Sequence, residues 1–346
     1  PSNHAIHRAN PVKLRILSEA DCRAVLDMNA AIDIQGEAFA LLASGKSVQG
    51  LRSLATSEDP PGVAIFNPCF LRGGAGYGIK VVSDFYGNDA KRVPRMSALV
   101  ALFDGATGFP QTVMEAGYLT DLRTGAGTGL AARYLARKDS RVVAIIGAGR
   151  VARNQLAAIA ALFEISTVFV ATRSAARGED FVRRMKALGG RVPTDIRLVA
   201  SREDAVRQAD IVVAATTAET PVVEGKWLKP GTFVASAGAY EPTTREVDSD
   251  LVSVAAQRVI DSRADCLDHA GDFMIPLAEG RIARDSIAEI AELVAGTRLG
   301  RQSATEITYY KSTGVPIQDL VTAQHIERRA IARGMGMVVE IGGDER

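Results

Sequence analysis

The pattern of hydrophobic and polar positions divides the chain into an irregular first part and a regular second part that begins near residue 141. In the second part, short apolar runs typical of fully buried strands alternate with amphipathic helical stretches. The strand runs are RVVAIIGAG, STVFVATR, DIRLVAS, ADIVVAATT, GTFVASAG and QRVIDSR. Strands that alternate with helices at this spacing predict a parallel sheet with helices on both of its faces.

The first part of the chain has a mixed pattern. Residues 1–13 are expected to form a loose arm, and Ser18 with Asp21 behind it predicts the start of a helix. A second helix is expected over 30–43. The runs GVAIFNP, GYGIKVVSDF, SALVALFD and FPQTVMEAG predict short strands, with 104–108 as a hairpin loop, and a helix follows over 120–138.

This change of rhythm predicts two domains, because 346 residues are too many for one small core. The first domain is expected over 1–136 and the second over 137–305. After about residue 300 the strand rhythm ends and a final helix follows, so 306–346 is expected to return to the first domain.

Composition narrows the class of protein. A net charge of +1 without a basic block makes nucleic acid an unexpected partner. No apolar run reaches about 18 residues, so no membrane span is expected, and no signal peptide is indicated. Three widely spaced cysteines (Cys22, Cys69 and Cys266) have neither metal-ligand nor disulfide spacing. These features predict a cytoplasmic protein without a metal site.

The segment VVAIIGAGRVARNQLAAIAAL carries a glycine motif in a specific context. Gly147-x-Gly149-x-x-Ala152 follows a predicted strand and opens a predicted helix. The first glycine permits the tight turn, the second lets the backbone approach a pyrophosphate, and the small Ala152 allows close helix packing. Arg150 and Val151 belong to the first helical turn, whose N–H groups favour phosphate. The motif predicts a dinucleotide site on a Rossmann-type doubly wound sheet; a purely structural turn is the alternative.

The end of the second predicted strand indicates which dinucleotide binds. An NAD site normally has an acid there, which holds the ribose 2′-hydroxyl. This chain has Thr172, Arg173 and Ser174, with Arg177 close behind, and its first acid is Glu179 in the next helix. A guanidinium and hydroxyls suit a 2′-phosphate better than a diol. NADP(H) is therefore favoured; NAD(H) remains possible if Arg173 only stacks on the adenine.

Small and polar residues stand at the ends of two later strand runs, ADIVVAATT and GTFVASAG. Such residues commonly line the crevice in which a dinucleotide lies. The predicted cofactor contacts here are Ala215, Thr216, Thr217, Ser236 and Gly238.

Taken in order, several segments resemble the ornithine cyclodeaminase/mu-crystallin family. They are GIKVVS, YLTDLRTGAGTGLAARYLAR, IIGAGRVARNQL, DIVVAATT, PGTFVASAGAYEPTTREVD and YYKSTGVPIQDL, and they span about residues 50–320. The resemblance implies a nicotinamide-binding Rossmann domain inserted between parts of an α+β substrate domain, which forms a homodimer. Its members include cyclodeaminases, amino-acid dehydrogenases and reductases of cyclic or linear imines.

The resemblance also implies that Arg52, Lys80 and Arg123 bind the substrate carboxylate. The residues themselves agree for two of them. Lys80 lies in an apolar strand, where an unpaired ammonium is costly unless it meets an anion. Arg123 lies among small residues that would let its fork reach a carboxylate. The alternative is an internal ion pair, such as Lys80 with Asp84 or Arg123 with Asp121.

Two positions depart from the cyclodeaminase pattern. Tyr240 stands where cyclodeaminases carry an Asp that handles the amino groups of the substrate, and Lys311 stands where they tend to have Asp and mu-crystallin-like reductases have Lys. A phenol, with an ordinary pKa near 10, is no anionic partner for an ammonium at pH 7. With Tyr240 and Lys311 in place of two acids, the site is not expected to bind the two ammonium groups of ornithine well.

The sequence therefore predicts NAD(P)H-dependent reduction of a cyclic or linear imino acid to an amino acid. Two alternatives stay open: a cyclodeaminase-type lyase that uses NAD⁺ catalytically, and a non-enzymatic binder of NADPH and a small ligand.

The reaction needs a proton donor, for which the sequence offers three candidates. Lys80 comes first, because burial beside arginines would make its ammonium a better acid; Tyr240 and Lys311 follow. His269 is expected to face solvent, and Asp268 and Asp272 are expected to be loop or capping acids.

Overall fold

The computed structural model describes residues 12–341, which fold as two compact units. The first unit combines residues 12–27, 45–120 and 319–341, and the second combines 28–44 and 121–318. The arm expected over 1–13 lies almost entirely outside the described residues, and its last two positions belong to the first strand.

In chain order, the described residues form sixteen strands and eleven α-helices. The strands are β1 Val12–Leu17, β2 Ser47–Gln49, β3 Ser53–Glu58, β4 Pro61–Leu71, β5 Tyr77–Phe85, β6 Met96–Phe103, β7 Pro110–Glu115, β8 Val142–Ile146, β9 Thr167–Ala171, β10 Ile196–Val199, β11 Ile211–Ala214, β12 Phe233–Ser236, β13 Gln257–Ile260, β14 Ile287–Glu289, β15 Thr308–Lys311 and β16 Met337–Ile341. The helices are α1 Glu19–Val25, α2 Met28–Ala43, α3 Gly117–Leu135, α4 Arg150–Leu162, α5 Ala175–Leu188, α6 Arg202–Gln208, α7 Ser249–Val254, α8 Arg263–His269, α9 Gly271–Ala278, α10 Ile290–Val294 and α11 Pro316–Ala332.

The first unit contains a mixed sheet in the order β16-β1-β7-β6-β5-β4-β2, with β3 also paired to β4. Every pairing is antiparallel except β1 with β7. The hairpin loop expected over 104–108 is confirmed, because the amide of Asp104 donates to the carbonyl of Phe109 at 2.9 Å. The predicted helix start is also confirmed, since the Ser18 hydroxyl accepts from the amide of Asp21 at 3.2 Å.

The second unit contains an all-parallel sheet in the order β10-β9-β8-β11-β12-β15-β13-β14. The central strands β8, β11 and β12 consist almost wholly of buried apolar residues, as expected for a sheet that is covered on both faces. The strand order reverses between the parallel neighbours β8 and β11, since β9 and β10 lie on one side of this pair and β12 lies on the other. A doubly wound sheet opens a crevice at its carboxyl edge at such a point. The predicted α/β class, with a Rossmann-type sheet in one unit and an α+β fold in the other, is confirmed.

The division of the chain differs from the predicted one at three places. Helix α2 belongs to the second unit, where it packs on α4 and α10, and most of α3 belongs there too. At the other end, β15 inserts between β12 and β13. The expectation that strands end near residue 300 was wrong, because β15 and β16 both follow that point. The pattern did not reveal β15 because TYYK is only four residues long and carries a lysine.

Candidate active site

The turn after β8 has the backbone geometry that a dinucleotide needs. Gly147 has φ +108, and a Cβ at this position would lie 2.4 Å from the carbonyl oxygen of Ala215. Only glycine fits a left-handed backbone at so close an approach. This turn therefore lies directly against the end of β11, at the point where the order of the strands reverses.

The start of α4 is open on the side where a phosphate would lie. Gly149 is the N-cap, offers no side-chain cap to the first turn, and a Cβ built on it would meet nothing within 4 Å. Ala152 is fully buried, so α4 packs closely on the sheet. Arg150 is exposed and lies 3.3 Å from Asp121, while Val151 is half-buried. Uncapped amides and an open approach fit a pyrophosphate.

The end of β9 is basic and rich in hydroxyls. Ser174 is the N-cap of α5, and its hydroxyl accepts from the amide of Arg177 at 3.4 Å. The hydroxyl of Thr172 accepts from the amide of Ser174 at 3.4 Å. Arg173 and Arg177 are both exposed. The positive charge at this strand end thus faces solvent, where a ligand can reach it.

The acids that follow on α5 do not offset this charge at the strand end. Glu179 is exposed on the helix. The Asp180 carboxylate lies 2.7 Å from the guanidinium of Arg184 and contacts that of Arg183, and these arginines hold its pKa below the ordinary range. No carboxylate therefore stands in the position that usually recognises a ribose diol.

The ends of β11 and β12 meet at one buried carboxylate. Glu246 Oε1 accepts from the amide of Thr216 at 2.6 Å and from its hydroxyl at 2.8 Å, and Oε2 accepts from the amide of Gly238 at 2.6 Å. The loop contacts predicted at Thr216 and Gly238 thus belong to two segments that the structure joins, with Ala215 buried and Thr217 exposed beside them.

Ser236 differs from its neighbours in the predicted cofactor set. It is fully buried, and its hydroxyl pairs with the Tyr309 hydroxyl at 2.7 Å. Its carbonyl accepts from the amide of Ser312. This placement favours a role in the core over the predicted cofactor contact.

Lys311 also departs from expectation. It is fully buried at the end of β15, and its ammonium lies 2.8 Å from Asp272 and 4.0 Å from Glu246. Burial alone would lower its pKa, but the two carboxylates hold that pKa above the ordinary lysine value. A cation held in this way is a poor proton donor to a substrate. Asp272, expected to be a loop or capping acid, is fully buried as well.

Arg123 lies buried on α3 with its guanidinium against Gly314. A Cβ on Gly314 would come within 2.4 Å of the guanidinium. Gly314 also has φ +77, so both the close contact and the backbone conformation require glycine at this position. Asp261 holds the loop in place by accepting from the amides of Thr313 at 2.7 Å and Gly314 at 2.6 Å. Asp121, the alternative partner predicted for Arg123, contacts Arg150.

In the first unit, Lys80 is buried on β5 and paired with an acid that the sequence did not indicate. Its ammonium lies 2.6 Å from the carboxylate of Asp319 on α11, and both side chains are about 95% buried (4% and 5% exposed). The alternative of an internal ion pair is therefore present at Lys80, with Asp319 in place of Asp84, which accepts from the Arg95 guanidinium at 2.6 Å. An ammonium has three donors and can therefore contact more than one acceptor.

Arg52 reaches the same face of this sheet. Its Nε donates to the Asn67 side-chain oxygen at 3.2 Å, and Asn67 is the cross-strand partner of Lys80. Cross-strand partners point to one face of a sheet, so Arg52 and Lys80, two of the predicted carboxylate ligands, share a polar patch. Cys69 lies on that face too, where burial and the Asp319 charge raise the pKa of its thiol to about 12.

Tyr240 and the histidine considered for the site are both at the surface. Tyr240 follows the β12 turn and is 54% exposed. His269 is exposed at the end of α8, where its Nδ1 lies 3.1 Å from the carbonyl of Asp265, and Asp268 is exposed nearby. Within residues 12–341, no group of three or more His, Cys, Asp or Glu is arranged to hold a metal ion. Nor is any helix of that range long and apolar enough to span a membrane.

Four site residues escaped sequence reasoning: Asn67, Glu246, Asp261 and Asp319. Each acts on a partner from a different strand or helix, so local spacing carries no trace of the contact. The one available signal was Lys80 itself, since a lysine in an apolar strand requires a counter-charge somewhere in the chain.

Comparison with known proteins identifies the family. The family model described as ornithine cyclodeaminase/mu-crystallin family matches residues 13–334. An alanine dehydrogenase of Archaeoglobus fulgidus is 33% identical over 326 residues, which cover 94% of this chain and 98% of that protein. The chain belongs to the ornithine cyclodeaminase/mu-crystallin family, as the motifs predicted.

Two solved structures are similar along the whole chain. The Δ1-pyrroline-2-carboxylate reductase of Thermococcus litoralis, in complex with NADH and L-proline, is 37% identical with a TM-score of 0.87, and the match covers 93% of this chain and 99% of that one. An archaeal alanine dehydrogenase dimer with bound NAD is 32% identical with a TM-score of 0.87, over 96% and 100%. Fold and relatives together define the class: a nicotinamide-dependent oxidoreductase of the reductase branch of this family.

Proposed function

We propose that the protein reduces a cyclic imino acid to the corresponding amino acid with a reduced nicotinamide dinucleotide. The observation that carries the proposal is the likeness to the Thermococcus reductase, whose structure holds NADH and L-proline. Tyr240 stands where cyclodeaminases carry an Asp, and this difference favours imine reduction as the reaction rather than cyclisation of ornithine. The two ammonium groups of ornithine need anionic partners, which a phenol does not provide.

The roles of the residues follow from their charge and burial. Arg52 and Lys80 are proposed to bind the substrate carboxylate, with Asp319 as the standing counter-ion of Lys80. Arg123, buried with its guanidinium over Gly314, is proposed as a further carboxylate ligand. Such fixed cations orient an anionic substrate and cost no reorganisation during the reaction.

When bound, the reduced nicotinamide supplies a hydride to the imine carbon, and the C=N electron pair passes to nitrogen. The nitrogen must carry or receive one proton for the reaction to balance. Among the three predicted donors, Lys80 is paired with Asp319 at 2.6 Å and Lys311 is fully buried in the core. We therefore favour Tyr240, which is exposed after the β12 turn, as the proton donor.

The proposed cofactor is NADP(H), with NAD(H) as the alternative. Support comes from Arg173 and Arg177, exposed at the end of β9, and from the absence of a free acid at that strand end within the described residues. Thr172 and Ser174 add hydroxyls that already cap the local backbone. The preference would distinguish this chain from the two solved relatives, which hold NADH and NAD.

The test is a screen of NADPH oxidation over cyclic imino acids and over 2-oxo acids supplied with ammonia, methylamine or amino acids. We expect a five- or six-membered cyclic imine carrying an α-carboxylate to give the highest kcat/KM. Conversion of ornithine to proline with catalytic NAD⁺ would instead support the lyase alternative. Tight NADPH binding without turnover on any imine would support a non-enzymatic binder.

We also propose that the first unit forms a homodimer through the sheet face opposite Lys80. This apolar face consists of Ile16, Phe70, Tyr77, Leu99, Phe103 and Met337, which the strand register places on one side of the sheet. The rings of Phe70, Tyr77 and Phe103 stack, and Leu99 and Met337 are exposed. A sheet face this apolar calls for a covering partner.

Sedimentation should therefore give a mass of about twice the 36.7 kDa of one chain. Leu99→Lys, which places a charge on the apolar face, is expected to yield monomers at micromolar concentration. Val254→Lys changes a single exposed apolar residue of the second unit and is the matched control, expected to stay dimeric. A monomeric wild-type protein would contradict the proposal.

A further inference from the structure

The Glu246 carboxylate is fully buried and joins two turns of the second unit at the carboxyl edge of its sheet. It accepts both polar groups of Thr216, after β11, and the amides of Gly238 and Ala239, after β12. The bonds to the Thr216 and Gly238 amides are both 2.6 Å long, which is shorter than an ordinary N–H···O bond and brings both turns close to one carboxylate. One side chain thus sets the separation of two turns.

Glu246 is itself fixed from behind. Asp272 Oδ1 accepts from the amides of Glu246 at 2.9 Å and Val247 at 3.1 Å. The Lys311 ammonium lies 2.8 Å from the other oxygen of Asp272 and 4.0 Å from Glu246, which supplies the buried counter-charge. Burial and the nearby Asp272 carboxylate raise the pKa of Glu246, and Lys311 and the backbone donors oppose this rise without cancelling it. The group has little freedom to move.

The two turns that Glu246 joins are packed against each other and against the glycine turn. A Cβ on Gly238 would lie 2.0 Å from the carbonyl oxygen of Thr216, and one on Gly147 would lie 2.4 Å from that of Ala215. Displacement of the β11 turn would therefore move the surface on which a dinucleotide rests.

We propose that Glu246 is a positioning residue for the nicotinamide half of the cofactor, with Asp272 and Lys311 holding it. The inference rests on the proposed function, because it assumes a dinucleotide at this edge. The two halves of a dinucleotide lie on either side of the point where strand order reverses. The Glu246 carboxylate accepts from the turns after β11 and β12, whereas the adenosine half belongs to β8 and β9. Loss of its charge should affect one half of the ligand.

The substitution Glu246→Gln tests this with little risk to folding. It removes one negative charge and leaves Lys311 paired with Asp272, a neutral combination. The amide keeps one accepting oxygen but turns an NH₂ group toward a backbone donor on the other side. The β11 and β12 turns then lose a shared anchor while the core stays filled.

Asp210→Asn is the matched control. Asp210 is also a nearly buried acid, and it accepts from the amides of Arg141 at 2.9 Å and Val142 at 3.0 Å and contacts Lys229. It lies at the amino end of β11, at the edge opposite Glu246. Its loss should lower stability without affecting the cofactor edge.

The measurement compares the dissociation constants of NADPH and NADH with those of 2′,5′-ADP and ADP, which represent the adenosine half. Glu246→Gln is expected to weaken the reduced dinucleotides about tenfold and to leave the adenosine ligands within twofold. Asp210→Asn should leave the dissociation constants of all four ligands within twofold of the wild-type values. Equal weakening of both ligand classes, or no change in either, would overturn the positioning role.

A second variant keeps the test decisive if Glu246→Gln does not fold. Thr216→Val removes the hydroxyl that donates to Glu246 at 2.8 Å and accepts from the amide of Ala218 at 3.2 Å. It should weaken binding of the reduced dinucleotides about threefold without affecting the adenosine ligands. An unchanged NADPH constant in that variant would also reject the role. Failure of the wild-type protein to bind any of the four ligands would overturn the proposed function itself, and this role with it.

Discussion

Lys80→Met is expected to lower kcat/KM for the imino acid at least a thousandfold, while the dissociation constant of NADPH stays within twofold. The loss corresponds to about 4 kcal/mol, in the range measured when one partner of a buried charge contact is removed. Methionine retains the length of the side chain and its packing on the sheet but has no charge for the substrate carboxylate. Steady-state kinetics and nucleotide titration measure the two effects separately.

The single substitution also leaves Asp319 buried without its cation, which costs about 3–5 kcal/mol of folding free energy. The double variant Lys80→Met with Asp319→Asn removes both charges, so it should be more stable than the single variant and equally inactive. This pair of variants separates loss of the carboxylate ligand from loss of fold.

Asp84→Asn is the control on the same strand, because Asp84 is also nearly buried but pairs with Arg95 at 2.6 Å. We expect its activity within twofold of the wild type. A folded Lys80→Met variant that keeps more than one-tenth of the wild-type kcat/KM would contradict the assignment of Lys80 to the substrate.

The parts of the fold that the sequence predicted are those with a local cause. The apolar runs of β8, β9, β11 and β12 are fully buried strands, and their pattern predicts a parallel sheet without knowledge of the neighbours. Strand β15 carries a lysine in a four-residue run, and that lysine is tolerated only because Glu246 and Asp272 converge on it. Its place in the sheet depends on partners that no local pattern specifies.

The site divides in the same way. Gly147 and Gly149 could be assigned from their flanking strand and helix, since a phosphate turn is a local structure. The ion pair of Lys80 could be expected in kind, but the partner at Asp319 could not be identified, because residues of one charge are numerous and pairing is set by the tertiary fold. The burial of Lys311 and its pairing with Asp272 could not be foreseen for the same reason, because a buried counter-ion and a catalytic cation have the same local sequence.

At the end of β9 the sequence predicts which residues contact the cofactor, but their role depends on which dinucleotide binds. Arg173 and Arg177 are exposed, and the nearby acid Asp180 contacts Arg184 and Arg183. An exposed guanidinium beside hydroxyls can bind a 2′-phosphate or stack on adenine, and these two roles predict different responses to a change of charge.

Arg173→Asp is therefore expected to weaken NADPH about a hundredfold and to leave NADH within about threefold, or to improve it. The loss combines a charge-assisted hydrogen bond with repulsion between two anions, and an acid at this position can accept from a ribose diol. Arg183→Asp makes the same change of net charge further along α5. We expect it to have a small and equal effect on the dissociation constants of NADPH and NADH. Titration of each variant with both nucleotides gives the ratio of constants directly. Equal effects of Arg173→Asp on NADPH and NADH would mean that Arg173 stacks on the adenine, and that the 2′-phosphate is not read at this strand end.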